Sequence, residues 1–154
     1  MHGDTVSVER TIPASAEAIF AVLADPGRHH EIDGSGTVTG PPATAARLRR
    51  VGDSFTMPMR MGLPYRMVNT VVELEEGRRI AWQPRLAVPL LGGVVGGRVW
   101  RYELEPVAGG TLVRETWDLS RDPLRALIKR SPLGSETGPN MEKTLERLEA
   151  AVVG

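Results

Sequence analysis

The hydrophobic period of this chain changes for good at Asp122, and that change restricts the possible folds more than any other feature. Up to that point, apart from one short helical interruption, apolar residues recur at every second position, the spacing of half-buried strands. Beyond it they recur three and four apart, the spacing of amphipathic helices. Val6, Val8 and Ile12 mark a strand over residues 5–12 that Pro13 ends. Ser15 then stands at an N-cap position. Ala16, Ile19, Phe20 and Leu23 share one helical face before Pro26 stops the turn. Residues 27–32 add a further turn, 33–36 read as a loop, and 37–40 as a short strand. Alternation resumes over 53–59, 65–75 and 79–83, and again over 98–105 and 111–119, a hairpin joined across 106–110. After Asp122 come Leu124, Leu127 and Ile128, a break over 131–139, and a closing helix marked by Met141, Leu145, Leu148 and Val152. The outcome is an α+β chain whose antiparallel sheet has an apolar face that the last helix can cover.

Length and composition narrow the function classes. A chain of 154 residues is one domain, 1–154. Nineteen basic residues balance nineteen acidic ones, so no overall field draws the protein to nucleic acid or an anionic bilayer. The absence of cysteine removes thiolate nucleophiles, disulfides and Cys-ligated metals. The polar N-terminus carries no leader pattern, and the apolar stretch from Leu86 to Gly97 is too short to span a bilayer, which gives a cytoplasmic expectation. Arg47, Leu48, Arg49 and Arg50 lack interleaved aromatics and read as a solvated loop.

The order of elements, read with particular residues, resembles the START-like (SRPBCC) superfamily and, within it, the polyketide cyclase/dehydrase-like proteins. The resemblance is carried by the opening strand into Pro13-Ala14-Ser15-Ala16-Glu17-Ala18-Ile19-Phe20, by Leu23-Ala24-Asp25-Pro26, by the hairpin running from Val72 to Trp82, and by the closing stretch from Met141 to Leu148. It extends over essentially the whole chain. It implies a helix-grip fold: a bent seven-stranded antiparallel sheet wrapped round a long C-terminal helix, two short helices after the first strand, and a cavity for an apolar ligand between sheet and helix. The superfamily includes lipid and hormone binders, polyketide cyclases, Rieske oxygenase domains and co-chaperones, so fold alone does not choose among them. The Rieske branch does not fit a chain without cysteine or a spaced histidine pair.

Within such a fold, Glu115 is the carboxylate of most interest. It shares strand parity with Val113, Trp117 and Leu119 and points inward unless a bulge intervenes. Burial would raise its pKa and make it a general acid or a hydrogen-bonding anchor; the alternative is pairing with Arg101 or exposure to water. Trp100, Tyr102 and Leu104 share a face, as do Ile80 and Trp82, and such residues are core and pocket lining at once. Met57, Met59, Met61 and Met67 suit an adaptable apolar wall. Tyr65 and Asn69 lie on the Met67 parity, while Val68, Thr70, Val72 and Leu74 on the other are equally apolar, and either face can be the inner one. His30 or Asp33 stands at the cavity mouth to orient a polar group. Adjacent His29 and His30 cannot readily share a metal, so neither a metal nor a cofactor is expected.

The first functional reading is therefore a binding protein, monomeric or homodimeric, for a small hydrophobic or aromatic molecule. Met57, Met59, Met67, Trp82, Trp100, Tyr102, Trp117 and Met141 supply apolar contact, Asn69 a polar contact if its face is the inner one, and Glu115 with His30 or Asp33 fixes orientation. The runner-up is a cyclase, dehydratase or isomerase with Glu115, Asp33 or His30 as acid/base and Tyr65 or Tyr102 as donor to an enolate oxygen. A third reading is a protein-interaction module that docks through the Leu86 to Gly97 loop.

Overall fold

A computed structural model describes residues 3–41, 46–87 and 97–153. Six antiparallel strands form one sheet in the order β1-β6-β5-β4-β3-β2: β1 (Thr5–Ile12), β2 (Ser54–Met61), β3 (Leu63–Glu75), β4 (Arg79–Leu86), β5 (Val99–Val107) and β6 (Gly110–Asp118). The chain leaves β1 at one edge, crosses through α1 (Ala16–Leu23), a 3-10 turn (Pro26–Arg28) and α2 (His29–Ile32), and enters the opposite edge at β2. It then meanders back until β6 pairs with β1. A short α3 (Arg125–Arg130) and a long α4 (Pro132–Val153) follow, and α4 packs on β1, α1, α2 and α3.

Local chemistry explains most element ends. The Ser15 hydroxyl accepts from Ala18 N at 3.1 Å and starts α1, whose Ile19, Phe20, Val22 and Leu23 are buried. Asp25 accepts from Gly27 N at 3.0 Å and opens the next turn. In the β5–β6 hairpin the strands run further than the sequence suggests, to Val107 paired with Gly110, leaving the two-residue turn Ala108-Gly109.

Three expectations are corrected. The 37–40 strand is a single bridge, Val38 to Met59, flanked by Thr39 N to Pro58 O at 3.0 Å and Arg60 N to Thr37 O at 2.7 Å, so the sheet has six strands rather than seven among the described residues. Pro58 has no N–H to return to this edge, and Pro41 follows, so the ladder cannot lengthen. The break placed at 131–139 shrinks to the extended residue Ser131, because α4 begins at Pro132, a favoured first-turn proline, and continues through Pro139. Tertiary packing overrides propensity there: Thr137 and Met141 are buried on either side of Pro139, and Thr137 Oγ1 donates to Leu133 O at 2.6 Å. Within the arginine-rich stretch, Leu48 is a core residue whose N–H donates to Ala24 O at 2.7 Å, while Arg49 and Arg50 are exposed as expected.

The ambiguity of β3 is resolved by a β-bulge. Val71 pairs with Trp82 and Leu74 with Ile80, so Val72 is supernumerary and the inward parity switches there. Ahead of the bulge Met67, Asn69 and Val71 face inward and are buried, and beyond it Leu74 packs on the core.

Candidate functional site

Sheet and α4 do not close completely on each other. A cavity of about 530 Å³ remains between them, bordered by β2 to β6, α2, the 33–38 loop and the first three turns of α4. Another concavity, about 290 Å³, is lined largely by charged residues such as the exposed Arg78, Arg79 and Arg114 and the half-buried Glu103. The inner cavity is the one with an apolar wall and buried polar groups, the combination that marks small-molecule sites.

The wall follows from cross-strand register. Trp82 on β4 sits opposite Trp100 on β5, Trp100 opposite Trp117 on β6, and Tyr102 opposite Glu115. These neighbours form two aromatic stacks, Trp82 on Tyr102 with ring centroids 5.5 Å apart and Trp100 on Trp117 at 5.8 Å. Met57, Met59, Tyr65, Met67 and Asn69 border the cavity from β2 and β3, and Met141 borders it from α4. The Asn69 amide donates to Met67 O at 3.2 Å, which fixes its orientation. Met61 and Leu133 reach the opening, where Met61 is 62 % exposed, and Leu63 at the tip of the same hairpin is 78 % exposed.

Glu115 is the buried carboxyl of this cavity, with 1 % of its surface exposed. Its Oε1 has no hydrogen-bond partner among the described residues. Burial pushes its pKa up to about 8; the Tyr102 hydroxyl pulls it back and the Asp33 charge adds to the rise. At neutral pH it is a carboxylic acid. Tyr102 is itself held well above its usual value, first by burial and then by the neighbouring Glu115. The alternative partner for Glu115 is engaged elsewhere: Arg101 grips Glu73 at 2.7 Å and stands 3.6 Å from Asp118.

Of the two adjacent histidines, His29 borders the cavity and His30 does not. The expectation of His30 at the mouth is thus displaced by one residue, because α2 is a single turn whose inward face carries His29 and Ile32. His29 stacks on Trp82 with centroids 4.8 Å apart, meets Phe55 edge-on at 5.2 Å, and places Nε2 2.7 Å from Leu23 O. A carbonyl only accepts, so Nε2 carries the proton and the ring is the Nε2–H tautomer. Burial lowers its pKa to about 4, partly opposed by the Leu23 carbonyl. We expect the His29 ring, followed by NMR chemical shift against pH, to stay neutral at pH 6 and titrate near 4; a midpoint near 6.5 would place it in water.

Asp33 also borders the cavity, but its carboxylate is used by its own loop. One oxygen accepts from Ser35 N at 3.0 Å and Ser35 Oγ at 2.6 Å, the other from Val38 N at 2.8 Å. Gly34 continues the loop onto α4, its N–H donating to Thr144 Oγ1 at 2.9 Å, and Arg147 donates to the Asp33 carbonyl.

Several bordering residues escape a reading of the sequence. Leu133, Glu136, Thr137, Asn140 and Thr144 line up beside Met141 on one face of α4. Their spacing of three and four is the helical signal, hidden because Pro139 argues against a helix there. Arg98, 3.6 Å from Asp122 Oδ2, borders the cavity just outside the aromatic wall with no signal to announce it. The loop from Leu86 to Gly97 lies outside the described residues over 88–96; Leu86 itself borders the cavity. No helix among the described residues is long and apolar enough to cross a membrane.

Comparison with known proteins agrees with this architecture. An uncharacterised protein of Mycobacterium tuberculosis, Rv0088, is 38% identical over 115 residues, 73% of this chain and 46% of that protein, so the chain spans about half the length of the curated relatives it matches. Protein CV1439 of Chromobacterium violaceum has a TM-score of 0.70 at 18% identity, over 97% of this chain and 96% of that one. A protein of Arthrobacter aurescens reaches 0.74 at 14% identity, over 97% and 86%. The family described as polyketide cyclase / dehydrase and lipid transport matches residues 4–153, and with the six-stranded antiparallel sheet and long C-terminal helix already in view, this chain belongs to that family.

Proposed function

We propose that the protein binds a small hydrophobic or aromatic molecule in the cavity between the sheet and α4. One observation carries the reading: a cavity of about 530 Å³, inside the range of roughly 300–1,000 Å³ usual for ligand sites, with aromatic stacks and methionines for walls and buried polar groups such as Asn69 and Glu115 among them. Trp82, Trp100 and Met67 give a ligand contact area, and Asn69, Tyr102 and Glu115 give it orientation.

The test is a titration of purified protein with naphthalene derivatives and medium-chain alcohols, read by tryptophan fluorescence and thermal denaturation. Three tryptophans border the cavity, so occupancy changes emission directly. Ligand at a hundredfold excess over its Kd stabilises the folded state by about 2.7 kcal/mol. Unchanged emission and unchanged melting across the whole set would mean that the cavity is filled by its own side chains in solution.

A second reading is acid/base catalysis of cyclisation, dehydration or isomerisation on the bound molecule. The adjacency of Glu115 and Tyr102 favours it, since a carboxyl kept protonated beside a buried phenol is equipped to donate to a developing oxyanion. Glu115→Gln separates the two: a binder keeps its ligand with altered affinity, whereas an enzyme loses turnover by roughly 100-fold or more.

A further inference from the structure

The cavity is not uniformly apolar, and the chemistry of its unpaired groups is one-sided. Glu115 Oε1 is buried without a hydrogen-bond partner among the described residues, and so is the indole Nε1 of Trp117, two positions along the same face of β6. Tyr102, directly across from Glu115 on β5, is buried beside them. Unpartnered buried polar atoms are uncommon, and three residues bordering one cavity carry them, Arg98 through its Nε as the third, which points to a group that arrives from outside. An indole nitrogen can only donate, and a phenol or a protonated carboxyl donates readily.

We infer that this end of the cavity is a site for a neutral hydrogen-bond acceptor, an aryl ketone or comparable carbonyl compound, with the carbonyl oxygen received by Glu115, Tyr102 and the Trp117 N–H. The inference rests on the reading of the cavity as a ligand site and specifies what that ligand is. The other polar groups fit it. Both Asp33 carboxylate oxygens accept hydrogen bonds from residues 35 and 38 of their own loop, and the Arg98 charge is balanced by the buried Asp122 carboxylate 3.6 Å from its Nε. An anion would have to compete with Asp122 for Arg98, the bordering cation. A cation would have to ionise Glu115 and face two donors.

Three probes of nearly one shape test this: 2-acetylnaphthalene, 2-isopropenylnaphthalene, which lacks the oxygen, and 1-(2-naphthyl)ethylamine, which is cationic at pH 7. The ketone binds about tenfold more tightly than the alkene, as expected when a buried donor is paired rather than left bare. The carbonyl stretch of the bound ketone moves to lower wavenumber. Glu115→Leu removes the preference and leaves alkene affinity within about threefold, whereas Glu115→Gln, which still presents N–H donors, retains it. Should Glu115→Leu fold poorly, Tyr102→Phe deletes one hydroxyl with little change of shape and weakens the ketone alone. Equal binding of ketone and alkene, an unshifted carbonyl band, or tightest binding of the amine overturns the inference while leaving the cavity a ligand site. Failure of all three probes to bind overturns both.

Discussion

Between pH 5 and pH 9, Glu115→Gln loses about 4 kcal/mol less stability than the parent protein. The reason is a proton. The unfolded chain releases it near the ordinary value of 4.5, whereas the folded chain keeps it until about 8. Over that window the folded state binds one proton more than the unfolded state, so stability falls as pH rises, by about 1.4 kcal/mol per pH unit from this group. Near-complete burial leaves little solvent screening to weaken the effect. Glutamine has the same shape and nothing to release. His29 works in the opposite sense, because its folded value of about 4 lies below the ordinary 6.5, so stability falls as pH drops through that range. The two slopes cancel between about 4.5 and 6.5, and together they give a broad stability maximum on the acid side of neutrality. Urea unfolding of parent and variant at five pH values measures this; parallel profiles would mean that Glu115 is ionised and solvated in the folded protein.

The second large effect is expected at Gly34. A Cβ there would stand 2.7 Å from Thr144 N and 2.8 Å from Thr144 Oγ1, and closer still to the Asn140 carbonyl. Two of these three atoms are backbone of α4, which cannot yield as a side-chain tip can. Gly34→Ala therefore lifts the 33–38 loop from the helix, breaks the hydrogen bond from Gly34 N to Thr144, and costs about 3 kcal/mol or more. Gly36→Ala is the matched control. Its Cβ meets nothing within 4 Å, and only its left-handed φ of 74° is penalised, at about 1 kcal/mol. Equal losses in the two variants would show that the loop does not bear on α4.

Much of this architecture is legible in the sequence because it depends on simple periods. The parity of Val113, Glu115 and Trp117 places the carboxyl inward, and no bulge interrupts the pairing of β6 with β5. Likewise, Trp82 and Trp100 follow from alternation alone. What escapes reading depends on contacts between distant segments. Pro139 argues locally against a helix that packing on the sheet sustains. Asp33 and His30 look available as single residues, yet the first is consumed by hydrogen bonds to 35 and 38 and the second turns away because α2 lasts one turn. The seventh strand fails on an arrangement of prolines that only the pairing of 38 with 59 brings together. For β3 the sequence offers two equal faces, and both are used in turn.

That last point bears on how such a protein can change over evolutionary time. With Val72 inserted, β3 is two short strands in tandem, one in phase with the cavity at Met67 and Asn69, the other in phase with the closed interior at Leu74. Substitutions that reshape the cavity and substitutions that preserve the interior then fall on different residues of one strand. The shape of the cavity can drift at one end while the other end goes on anchoring the sheet.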